Sequence, residues 1–159
     1  MYTTFSYSFY RSYSKMIYII PNFKEIIIVK KENYLFFYLI LFLLMSAGAF
    51  IWQVFIPNIA ENYSVWGFSR GWQTEIALWN LGVDIGISIT LIKRNVEYAK
   101  ILTIISVFLC IMLGGHHLIY ALTTTNGNTS LHWMGAIEVF FVGGGTGVFA
   151  IIKSHCFKK

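Results

Sequence analysis

Five ionisable side chains lie inside long apolar runs of this sequence: Glu75, Asp84, the adjacent His116 and His117, and Glu138. An ionisable group inside a membrane span costs about 2.5–3.5 kcal/mol on insertion scales, so it persists where it faces a bundle interior and has a partner. Neutral polar residues accompany them: Gln73, Asn80, Ser88, Tyr120 and Thr146. Carboxylates with imidazoles suit three kinds of chemistry. They bind divalent zinc- or iron-type ions, they move protons because histidine titrates near neutrality, or they fasten helices by hydrogen bonds. The spacing Glu75…His116-His117…Glu138 matches no established ligand pattern, and all three readings stay open, the hydrogen-bonded clasp foremost.

The elements that position these residues follow from composition. The chain has 159 residues, is 57% hydrophobic and only 12% charged, with mean hydropathy +0.63. Soluble domains carry about twice that charge, and a soluble surface this apolar would aggregate. Four uncharged or nearly uncharged runs fit spans of about 20 residues: 34–56, 72–92, 101–122 and 133–152. The predicted fold is therefore an all-α integral membrane four-helix bundle. Residues 1–33 form a basic N-terminal segment whose apolar stretches Ile17–Ile20 and Ile26–Val29 are too short to span, and 153–159 form a tail. Met16 is an alternative start. Ala47-Gly48-Ala49 resembles a signal-peptidase site, but the apolar run continues to Ile56, which favours a retained span.

Eleven of the twelve Lys and Arg residues fall in the N-terminal segment, the 93–100 connection and the tail; only Arg70 lies in the opposite loops. The positive-inside rule then predicts both termini inside, as expected for a multi-pass protein of a bacterial cytoplasmic membrane. Continuous apolar runs exclude a β-barrel, and no inverted repeat of the transporter kind is present. The basic residues flank spans and form no nucleic-acid reading face. The expected partner is the lipid bilayer, with a second copy of the chain as a further candidate; the sequence leaves ligand and cofactor open, with Glu75, His117 and Glu138 the candidates for a metal. Cys110 and Cys156 lie at different depths, so a disulfide between them is not expected.

At about 1.5 Å per residue, Glu75, Glu138 and the histidine pair fall at similar depths, roughly 5–9 Å below the outer ends of their helices. Facing inward, they would meet. Adjacent residues point about 100° apart, so His116 and His117 cannot both enter one small site. A bis-histidine haem is disfavoured because no other predicted span supplies a histidine. The second span has two faces. Gln73, Asn80, Asp84 and Ser88 make a polar stripe, with Asp84 expected to be neutral and bonded to Thr146 or another hydroxyl. Glu75, Trp79, Gly82 and Gly86 make the other, whose glycines suit close helix contact. Gly143-Gly144-Gly145-Thr146-Gly147 has no preceding strand and no Lys, which excludes a phosphate loop. Gly143 and Gly147 instead give a GxxxG packing face, and so many glycines also loosen a helix.

The stretches GWQTEIALWNLGVDIGI and LGGHHLIYALTTTNGN resemble an uncharacterised family of four-span bacterial membrane proteins, loosely like DoxX-type proteins, through Gln73, Glu75, Asn80, Gly114, His117 and Asn126. The resemblance covers roughly residues 35–152. It implies the four-helix fold and no particular reaction. A non-enzymatic structural, accessory or oligomer-forming bundle is the first expectation. A small proton-coupled transporter or channel subunit on the Asp84 stripe comes next. A metal-dependent or redox membrane enzyme using Glu75, His117 and Glu138 comes third.

Overall fold

A computed structural model describes residues 23–67 and 69–157; the Ile17–Ile20 stretch and Met16 lie outside them. The described residues are helical, without strands. In chain order the helices are α1 (Phe23–Phe55), the short α2 (Asn58–Tyr63), α3 (Arg70–Lys93), α4 (Val96–Thr123) and α5 (Ser130–Ser154). Four of them are long and apolar enough to cross a membrane. The shortest of these, with 24 residues, measures about 36 Å at 1.5 Å per residue, against a hydrocarbon core of about 30 Å. Their surface is covered by exposed large apolar side chains such as Phe37, Leu44, Trp79, Ile92, Ile119 and Phe141. Lipid, not water, is the solvent such a surface fits.

Helix boundaries depart from the hydropathy pattern wherever a cap sets them. α1 begins well before Tyr34, because its backbone continues into the charged stretch ahead of the apolar run, and it runs unbroken through Ala47-Gly48-Ala49. The basic 93–100 connection shrinks to a two-residue turn. Arg94 takes the left-handed conformation that ends α3, and the Asn95 side chain accepts the Tyr98 N–H at 3.0 Å to start α4. Lys100 therefore lies within α4, paired with Glu97 at 2.8 Å. This is ordinary helix stop-and-start chemistry that a hydropathy window does not register.

The bundle is built from two tight antiparallel pairs, α1 with α3 and α4 with α5, joined mainly through α1. The α1–α3 pair is held by a polar seam. Gln73 donates to the Pro57 carbonyl at 3.2 Å, Asn80 donates to Gln53 Oε1 at 3.4 Å, and buried Asp84 faces Ser46. Without a hydrophobic force between helices in lipid, such bonds and close packing carry the association. Arg70, among the described residues the one Lys or Arg away from the basic end, donates to the Gln53 and Val54 carbonyls, both at 3.0 Å. These carbonyls belong to the last turn of α1, where acceptors lack helical partners and a cation is favoured.

The α4–α5 pair is tight for a different reason: glycine. A Cβ at Gly114 would strike the Phe140 backbone. One at Gly143 would lie 2.7 Å from Cys110 Sγ, and one at Gly147 would strike Val107 and come within 2.8 Å of Tyr38. The Gly143/Gly147 face is thus a packing face. Between Ala136 and Gly144 the helix widens into a π-helical stretch before returning to α geometry at Gly145. Cys110 and Cys156 are both free and buried. Burial at the end of α5 pushes the Cys156 thiol upward, with Lys100 opposing the effect.

The two glycine roles separate experimentally. Gly147→Ala should cost about 1–3 kcal/mol by overpacking. Gly145→Ala, where nothing lies within 4 Å, should be neutral or stabilising by up to about 1 kcal/mol through helix propensity. Reversible unfolding in bicelles measures both.

Candidate functional site: a histidine clasp at the loop end

The loop end of the bundle, opposite the basic termini, gathers side chains from three places. α4 brings His116, His117 and Tyr120; the first turn of α5 brings His132; the segment between α2 and α3 brings Ser64, Val65 and Trp66. His132 is fully buried. Its position follows from the turn before it. Gly127 has φ +96, a conformation glycine adopts without strain, and Asn128 Oδ1 accepts the Ser130 N–H at 3.0 Å as α5 begins. Asn128 also donates to the Asn62 carbonyl at 3.0 Å, which ties the α4–α5 loop to the end of α2.

The hydrogen bonds fix the state of both rings. The Val65 backbone N–H donates to His132 Nε2 at 3.2 Å, and Ser64 Oγ lies 3.2 Å from the same nitrogen. An amide N–H has no acceptor role here, so Nε2 carries the lone pair and a neutral His132 carries its proton on Nδ1. His132 Nδ1 lies 3.3 Å from His117 Nδ1. That proton is therefore donated to His117, whose own proton resides on Nε2. The pair is an N–H···N hydrogen bond between two neutral imidazoles in opposite tautomers. Metal-ligating histidines donate their second nitrogen to an acceptor; His132 does the reverse, which is the wrong arrangement for a metal at Nδ1.

Trp66 covers the pair. Its ring centroid lies 4.5 Å from His132, 4.7 Å from His117, 5.4 Å from Tyr120 and 5.2 Å from His116, on which it stacks at 24°. Ser64 Oγ accepts the Trp66 backbone N–H at 3.0 Å and sets this approach. The two adjacent histidines thus diverge, as their 100° separation requires: His117 turns to α5, whereas His116 stays exposed beneath the indole.

The residues selected by depth do not assemble. Glu75 is exposed on α3, beside a groove of about 560 Å³ that also involves Trp79, Gly82, Gly86 and Leu102. Glu138 is exposed on α5. Among the described residues neither has a hydrogen bond or ion pair, and no three His, Cys, Asp or Glu side chains are grouped to hold a metal ion. Similar depth did not bring similar direction: α3 packs on α1 and only lightly on α4. The contact expected of Gly82 and Gly86 is likewise missing among the described residues, for a Cβ added at either would meet nothing within 4 Å. Asn80 and Asp84 lie in the α1–α3 seam. The hydroxyl beside Asp84 is Ser46, and Thr146 is exposed and donates to its own helix at the Val142 carbonyl. Asp84 Oδ1, Ser46 Oγ and Gln73 Oε1 are buried without hydrogen-bond partners.

Sequence reasoning missed His132, Ser64 and Trp66. Starting the fourth span at Trp133 left His132 in a loop and led to the statement that no second span supplies a histidine. The structure starts α5 at Ser130. The turn formers Asn126-Gly127-Asn128 just before Ser130 are the signal that would have placed His132 inside the helix.

Fold and site define a four-span, all-α membrane bundle with a histidine clasp over one end. No family model, curated protein or solved structure matches the chain.

His132→Ala should cost about 2–4 kcal/mol, through a buried cavity and the unpaired Val65 amide. Glu75→Ala and Glu138→Ala should leave stability within about 0.5 kcal/mol or raise it. Steric-trapping or detergent unfolding measurements compare the three.

Proposed function

We propose that this chain is a non-enzymatic, oligomer-forming subunit of a bacterial cytoplasmic membrane, contacting a second copy of itself through the α3–α4 side. One observation carries this reading. Gly82 and Gly86 have GxxxG spacing, yet they line an open apolar groove where an added Cβ would meet nothing within 4 Å among the described residues. The chain's other GxxxG face is packed to the limit against Cys110, Val107 and Tyr38. In lipid, small residues at this spacing favour close approach of another helix. The remaining polar groups support a scaffolding role, because most hold a helix or a loop in place. The enzyme reading receives no support from the geometry, since Glu75, His117 and Glu138 occupy separate surfaces. The resemblance to uncharacterised four-span bacterial proteins agrees with a bundle and adds no reaction. The positive-inside bias favours the termini and the Arg94-Asn95 turn in the cytoplasm.

Gly82→Cys in native membranes should give a covalent dimer of the chain on oxidation, and adding Gly86→Leu should abolish it. A Gly82→Cys chain that stays monomeric under oxidation contradicts the proposal. Reporter fusions at Arg94-Asn95 should read as cytoplasmic; an external readout overturns the orientation.

A further inference from the structure

The clasp contains two titratable rings and three hydrogen bonds, and a proton count shows how it responds to acid. At His132, Nε2 accepts from the Val65 N–H and the Ser64 hydroxyl, and Nδ1–H donates to His117. At His117, Nδ1 accepts. The arrangement holds one proton per ring, and every nitrogen between the rings and the loop is committed. A second proton on His132 must go to Nε2, where it opposes the Val65 N–H, donor against donor, and leaves Ser64 Oγ, 3.2 Å away, as the loop's remaining partner with its hydroxyl turned from donor to acceptor. A second proton on His117 must go to Nδ1, where it opposes the His132 Nδ1–H. Either proton breaks a bond that ties the Ser64–Trp66 segment or α4 to the start of α5.

From this we propose that the His117–His132 pair is an acid-operated latch, closed with two neutral imidazoles and opened by one additional proton, which releases the Val65 amide and loosens the Ser64–Trp66 segment on the bundle end. The sign follows from proton linkage: the open state binds more protons than the closed one, so falling pH favours opening. The surroundings do not cancel this. From α4, His116 and Tyr120 border the pair around Trp66. Glu61, on the short α2 packed against the start of α5, and Glu138, further along α5, make no hydrogen bond or ion pair with either ring. Among the described residues no carboxylate therefore compensates an imidazolium at this spot. His116 is exposed and stacked on Trp66, and makes no hydrogen bond to either ring of the pair.

The test is amide hydrogen exchange of the Ser64–Trp66 segment in lipid nanodiscs, corrected for the intrinsic pH dependence of exchange. Wild-type protection should fall by at least about tenfold between about pH 7.5 and about pH 5, the range in which histidine titrates. The double variant His117→Asn/His132→Gln keeps donor and acceptor groups but cannot titrate, so its protection should not change with pH. His116→Gln should retain the acid transition. Protection that is flat in the wild type, a drop that survives in the double variant, or a transition abolished by His116→Gln overturns the latch.

Discussion

The close approach of α4 and α5 is the constraint on which the rest of the structure depends. Along this contact, Gly114, Gly135, Gly143 and Gly147 each lie where a side chain would overlap the neighbouring helix or its side chains. A bilayer supplies no hydrophobic drive for helices to meet, so dispersion at short range must do so, and only glycine permits that range. At Gly135 a Cβ would lie 2.6 Å from His117 Cγ. The same contact that joins the helices therefore sets His117 against the first turn of α5, within reach of His132. Once that pair exists, the Val65 amide and Ser64 have a fixed acceptor, and Trp66 has a surface to cover.

The two helix pairs solve one problem by different chemistry. α4 and α5 use bare backbone contact, whereas α1 and α3 use amide and carbonyl bonds at Gln73, Asn80 and Gln53, with Arg70 on the frayed end of α1. Arg70 looks anomalous under a charge-counting rule and is natural once its two carbonyl acceptors are seen. The α3–α4 side has neither device. It remains a groove in which a Cβ added at Gly82 or Gly86 would meet nothing within 4 Å among the described residues, and this asymmetry is what the proposed contact with a second copy rests on.

The four spans were legible because apolar runs of this length have few other uses. The polar stripe of α3 was legible too, since helical periodicity groups Gln73, Asn80 and Asp84 whatever they face. Direction was not legible. Depth along a helix follows from residue count, but the way a face turns depends on which helices pair. Hence Glu75 and Glu138 share a level with the histidines and never meet them. The same limit applies to the glycines: Gly82/Gly86 and Gly143/Gly147 have identical spacing, and only the tertiary arrangement separates the open face from the packed one. His132 was lost to a boundary error of three residues, small for a helix end and decisive for the site.

Nitrogen-15 NMR of histidine-labelled protein in bilayers tests the central claim most directly, by reading the tautomers and the coupling across the hydrogen bond. The account predicts a proton on His132 Nδ1, a proton on His117 Nε2, and a measurable coupling between the two Nδ1 atoms that disappears in Gly135→Ala. A proton on His132 Nε2, or a coupling untouched by that substitution, would contradict it.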